Sequence, residues 1–256
     1  MIDLGSLGGT LGASVWINNR GQITGVSNIP GDRTAHPFIW SRLDGMRDLL
    51  LHGSLGGTFG HPDWLNDKGE VAGLANIAGD QDGHAFLWRD GVITDLGTLG
   101  GDPGSEAAAI NSKGQIVGSS GAFFITNGSG RGFLWEHGAM VDLNGLLVAG
   151  TTTCLTGCWL INDRGEIDCS GLASGTTAER AFVLIPCDED HPALKSAITR
   201  RTLSGQYQGL PSMSYPKTTE FCFQSSAVNR SSHERDTSIG GWGHRFSRVE
   251  RAVVIM

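Results

Sequence analysis

One phrase is written four times along this chain, and an internal repeat constrains the fold more tightly than any composition figure. Segments opening at Asp3, Asp48, Asp95 and Asp142 each begin Asp-Leu. The first three continue to a leucine and two glycines: Leu7-Gly8-Gly9, Leu55-Gly56-Gly57 and Leu99-Gly100-Gly101. An aliphatic residue, an asparagine, two variable residues and a glycine follow in all four, as in Ile17-Asn18 to Gly21 and Ile161-Asn162 to Gly165. A Phe-x-Trp run closes three copies, at Phe38, Phe86 and Phe133, and the fourth reads Phe182-Val183-Leu184. The asparagines Asn18, Asn66, Asn111 and Asn162 stand 48, 45 and 51 residues apart. The copies are read as 3–47, 48–94, 95–141 and 142–191.

Each copy holds four short strand-like pieces. In the first they are Ser14–Ile17, Gln22–Val26, His36–Trp40 and Met46–Leu49. A turn with Asn first and Gly last suits a hairpin, because both residues tolerate positive φ. Within His36–Trp40 both faces carry apolar side chains, which fits a strand packed on both sides. A period of about 47 residues with four strands each is the signature of propeller blades. The expected class is therefore all-β: tandem four-stranded repeats, β-propeller-like with four blades. An open β-solenoid array, or a fragment of a larger propeller, is the alternative. The fourth copy lacks a last strand, while Met1-Ile2-Asp3-Leu4 has the sequence of one. Pairing of Met1–Leu4 with Ala181–Pro186 would close a four-bladed ring; otherwise upstream blades precede this sequence. The start has neither a basic nor an apolar stretch, so it does not read as a secretory signal.

The runs Asp95-Leu-Gly-Thr-Leu-Gly-Gly, Ala109-Ile-Asn-Ser-Lys-Gly-Gln-Ile-Val-Gly118 and His84-Ala-Phe-Leu-Trp88 resemble the bacterial HAF-type "probable extracellular" repeat. The resemblance covers residues 3–191. It implies an exported, extracellular or periplasmic, propeller-like protein and no catalytic residues. The first copy departs with His36-Pro37-Phe38, and Arg131 and Arg180 replace the histidine later.

Composition narrows the function classes. The net charge of −7 divides into −12 over residues 1–191 and +5 over residues 192–256. An acidic body is unsuited to nucleic acid, which needs a basic surface. No apolar run is long enough to span a membrane. Residues 192–256 lose the period and are rich in Ser, Thr and Arg, which reads as a disordered basic tail. A basic arm for an anionic surface, or a sequence unrelated to the repeats, are its other readings.

Candidate sites follow from topology. With alternating strands, the loops after the second strand emerge on the same face as the Leu-Gly-Gly stretches. These are the variable loops, and function on a scaffold concentrates there. Asn28, Asp32, Arg33, Asn76, Asp80, Asp82 and Asn127 are the ligand-binding candidates. Asp80-Gln81-Asp82-Gly83 resembles the start of a calcium loop but lacks the later acidic ligands, so it reads as a solvated turn. His36 and His84 occupy a slot that holds Arg elsewhere, which suits a strand-end hydrogen bond rather than zinc. No metal or cofactor is expected. Trp16, Trp40, Trp64, Trp88, Trp135 and Trp159 recur within strands and read as core rather than as sugar platforms. Cys154, Cys158, Cys169 and Cys187 suggest two disulfides in an exported chain, and free thiols otherwise. Gly-x-Ser-x-Gly, His-Glu-x-x-His and phosphate-loop motifs are all missing.

The expectation is a non-catalytic extracytoplasmic scaffold holding a carbohydrate or protein ligand on one loop face. The alternatives are a propeller glycoside hydrolase or lyase, whose carboxylates could come from separate blades, and a structural surface module.

Overall fold

The computed structural model describes residues 1–51, 53–121, 130–147, 153–173 and 178–186. The chain is all-β, built as four antiparallel sheets laid out in sequence order. The first contains β1 (Gly12–Ile17), β2 (Ile23–Asn28), β3 (Ala35–Ser41) and β4 (Gly45–Asp48). The second contains β5 (Gly56–Leu65), β6 (Val71–Ile77), β7 (Gly83–Arg89) and β8 (Val92–Asp95). The third contains β9 (Gly104–Ile110), β10 (Ile116–Gly121), β11 (Arg131–Glu136) and β12 (Ala139–Asp142). A 3-10 turn at Leu143–Leu146 leads to β13 (Cys154–Ile161), β14 (Ile167–Leu172) and β15 (Glu179–Leu184). Asp48, Asp95 and Asp142 thus end a sheet instead of opening the next, which moves the unit boundaries past the Leu-Gly-Gly stretches.

Consecutive sheets stack through the middle strands. On β6, Val71 faces the first sheet and Ala72 the third; on β7, Phe86 and Trp88 face one way and Ala85 and Leu87 the other. Ile116 and Val117 divide in the same manner on β10. Period-2 alternation with both faces apolar is what a strand between two neighbours requires. Three separate cores result, one per junction. The first strands also run against one another from sheet to sheet, so β1, β5, β9 and β13 form the inner edge of the array.

The asparagine turns fasten that edge. Asn66 Oδ1 accepts from the N–H groups of Lys68 and Glu70 at 3.0 Å each, which shapes the turn. Gly69 closes it at φ 85°, where a side chain would be strained. The Nδ2 group then reaches forward. Asn18 donates to the Asn66 carbonyl at 2.9 Å, Asn66 to Asn111 at 3.0 Å, and Asn111 to Asn162 at 3.0 Å. Beside this ladder the Asn19 and Ser112 N–H groups donate to Asp67 and Asp163 one unit on.

The array is open among the described residues. No extensive contact joins the first sheet to the fourth. β15 is the edge of its sheet, and Met1–Leu4 is not a strand. Met1, Ile2 and Leu4 instead lie along a groove with Ile17, Ile23, Trp40 and Leu43 of their own unit. The ring closure through Met1–Leu4 and Ala181–Pro186 is therefore not formed. Its consequence is exposure at both ends: Val15, Trp16 and Ile17 on β1, and Trp159, Leu160 and Val183 in the fourth sheet. Trp16 (38% exposed, stacked on Trp64 at 3.8 Å) and Trp159 (46% exposed) are accordingly not core residues.

Cys158 and Cys169 are disulfide-bonded across β13 and β14, and Cys154 is a free, exposed thiol. Cys187, Asn127 and the 192–256 tail lie outside the described residues.

Candidate functional site

The loop-face residues are engaged in a clasp built twice. Asp32 sits at φ 54° and Asp80 at φ 55°, a conformation aspartate tolerates in turns. Asp32 accepts from the Thr10 N–H at 2.7 Å and from the Thr10 hydroxyl at 3.0 Å. Asp80 accepts from Thr58 in the same two ways, at 2.7 and 2.9 Å. Asn28 and Asn76 each donate to that carboxylate, at 3.2 and 3.3 Å. The residue after each diglycine is thus tied to the tip of the following loop. Hydrogen bonds from Thr10 and Thr58, with a smaller part from the asparagines, hold both carboxyls below the usual range. Asn28, Asp32, Asn76 and Asp80 therefore position backbone, while Arg33 and Asp82 stand exposed at the tips.

The strand-end slot is equally structural. His36 Nδ1 lies 2.8 Å from Asp48, and His84 Nδ1 lies 3.0 Å from Asp95. Arg131 takes their place in the third sheet, reaching Asp102 at 2.8 Å and Asp142 at 3.1 Å. Asp48, Asp95 and Asp142 also accept from the N–H two residues on, which starts each exit turn.

A different group of residues concentrates the unspent chemistry. Each first strand carries a bulged residue at the same place, skipping a partner on the second strand: Val15, Asp63, Ala108 and Trp159; β5 and β13 have a second irregularity nearer their starts. A bulge re-aims a side chain and is common beside functional sites. In the first three units the strand opposite supplies a glycine. A Cβ at Gly25, Gly73 or Gly118 would stand about 2 Å from the backbone oxygen of Ala13, His61 or Glu106. In the fourth unit Cys169 takes that place and is bonded to Cys158.

In the second unit the bulged residue is Asp63, with His61 two positions earlier, and Glu106 approaches from β9. His61 Nε2 lies 3.0 Å from Glu106 Oε1 and 3.5 Å from Asp63 Oδ2. Asp63 Oδ2 is fully buried and has no hydrogen-bond partner. Burial pushes the Asp63 carboxyl up to about 7, against the opposing attraction of His61. Burial alone would lower His61, but its bond to Glu106 and the two nearby carboxylates outweigh that and raise it. The three donor atoms all lie within 4.8 Å of one another. Sequence reading missed this group because its members come from two units. The available signal was a departure in the aligned copies. Ala13, Val15, Ala108, Gly157 and Trp159 fill the matching rows, and none offers a charged or metal-binding side chain.

No protein-family model, curated protein or solved structure matches the chain.

Proposed function

We propose that the chain is a non-catalytic, extracytoplasmic repeat scaffold that holds a carbohydrate or protein ligand on its loop face, in a propeller-like stack of blades. The observation carrying this reading is the clasp. One backbone device is repeated with the same distances and the same positive φ, while the tips differ: Arg33-Thr34 in the first unit, Gln81-Asp82 in the second. Loops fixed by their own carboxylates present tip residues with little ordering cost, which is how preorganisation favours binding. The Cys158–Cys169 bond supports an oxidising compartment. The HAF-type resemblance agrees with both points.

The hydrolase alternative would need two carboxylates free to flank a sugar, and the pair at the central junction is otherwise engaged. Asp63 and Glu106 both face His61, whose Nε2 lies 3.5 and 3.0 Å from them.

The test is a glycan and cell-envelope protein panel against the full chain. Saturable binding that weakens at least about tenfold in Arg33→Ala/Asp82→Ala supports the reading. No binding at millimolar ligand, or binding indifferent to both tips, contradicts it.

A further inference from the structure

We propose that His61, Asp63 and Glu106 form a binding site for one divalent transition-metal ion at the junction of the second and third sheets. The proposal stands apart from the loop-face reading, since none of the three residues lies in those loops.

Three observations carry it. Asp63 Oδ2 is buried and makes no hydrogen bond, since His61 Nε2 at 3.5 Å is already engaged by Glu106 at 3.0 Å, and a buried acceptor without a partner is costly. A cation satisfies it at once. The separations fit a coordination edge as well: metal–ligand bonds of about 2.1 Å put neighbouring ligands about 3.0 Å apart in an octahedron and about 3.4 Å apart in a tetrahedron. His61 Nε2 meets Glu106 and Asp63 at 3.0 and 3.5 Å. Two carboxylates beside a neutral imidazole also balance the charge of a divalent ion, so the junction would hold no net charge.

The donor set selects the class of metal. One imidazole nitrogen with two carboxylate oxygens suits Zn²⁺ or Mn²⁺ over Ca²⁺, which takes oxygen alone. Three protein ligands leave positions for water or an outside ligand. The scaffold is rigid where it matters. Asp63 is fixed by its bulge, and Gly73 lets the opposing strand pass close to the His61 carbonyl. Neither flanking unit can repeat the site, because Ala13, Val15, Gly157 and Trp159 offer no ligand atoms. Spanning β5 and β9, the ion would also fasten the central junction.

An ordinary ion pair of His61 with Glu106 and, more distantly, Asp63 is the competing account, and it leaves Asp63 Oδ2 without a hydrogen bond. The experiment is titration of the chelator-treated full chain with Mn²⁺, followed by electron paramagnetic resonance, with Zn²⁺ as competitor. About one equivalent should bind. Asp63→Asn and Glu106→Gln should each weaken it by more than the about 10–100-fold that loss of an outer partner costs. His36→Gln, in a different sheet, should leave it unchanged. Should either ligand variant fail to fold by circular dichroism, Mn²⁺ broadening of amide resonances in the unaltered chain decides. Broadening centred on residues 60–64 and 105–107 supports the site. Broadening centred elsewhere, no binding at millimolar metal, or full affinity in folded Asp63→Asn overturns it.

Discussion

The two central sheets and the two end sheets are built from the same phrase yet hold their residues differently. Asn66 is buried and donates into the next unit; Asn162 makes the same turn but is exposed, and among the described residues no further unit receives its donation. The bulge row carries Asp63 at the central junction and the exposed Val15 and Trp159 at the ends. Phe86 is fully enclosed on the face of β7 that meets the first sheet, whereas Val183 on β15, on a face that no further sheet covers among the described residues, is 38% exposed. A repeat unit here is completed by its neighbours. The phrase specifies a sheet, and stacking supplies the core, as in quasi-one-dimensional arrays generally.

That contrast can be broken most forcefully at the core. Phe86→Ala should cost about 3–5 kcal/mol in urea unfolding, while Val183→Ala should stay within about 0.5 kcal/mol. Similar losses at both would show that the outer face of the fourth sheet is covered. Gly73→Ala comes next. Its Cβ would stand 2.2 Å from the His61 backbone oxygen, so a loss of about 1–3 kcal/mol is expected. Ala at Gly79, an open loop position at φ 97°, should cost about 1 kcal/mol, the price of backbone strain alone.

A comparison of like residues sharpens the ladder. Asn66→Ala removes a buried side chain bonded to Glu70, Lys68 and Asn111, and should cost about 2–3 kcal/mol. Asn162→Ala should cost under about 1 kcal/mol, because among the described residues its side chain bonds only within its own turn. Equal costs would mean that the inter-unit bond adds nothing. The smallest effect concerns the clasps, which are internal to a sheet and so should ignore position in the array. Asp32 and Asp80 have carboxyls lowered from 3.8 in the folded chain. Their contribution is present above the ordinary carboxyl range and is lost as pH falls through the lowered values. Asp32→Asn and Asp80→Asn should each flatten the acid limb of the unfolding midpoint between pH 2 and 5, and by similar amounts. A marked inequality would show that the clasps respond to the neighbouring sheet.

Much of this was written in the chain, and the exceptions share a cause. The strands of each unit, their order and the two-sided packing of the central sheets follow from alternation and turn residues, which are local. The strand-end role of His36 and His84 could be read from the arginine in the same slot. The ladder could not be read, because each Asn finds a backbone carbonyl 45 to 51 residues away. Asp32 and Asp80 looked like free loop carboxylates for the same reason, since their partners lie 22 residues earlier in Thr10 and Thr58. The third copy held a clue: Asp102 stands where those threonines do and takes Arg131 and Ser120 instead. Ring closure was expected from sequence phase, yet matching a strand's sequence does not bring an edge strand to it. The His61–Asp63–Glu106 group required a bulge and a junction at once, and neither is local.

Native-state hydrogen exchange on the full chain tests the open, junction-stabilised array most directly. Protection should peak in β6, β7 and β10, and fall towards β1 and β15 by several orders of magnitude in exchange rate. Uniform protection across all four sheets, with β1 and β15 as slow as β6, would contradict this account and show that the two ends are packed.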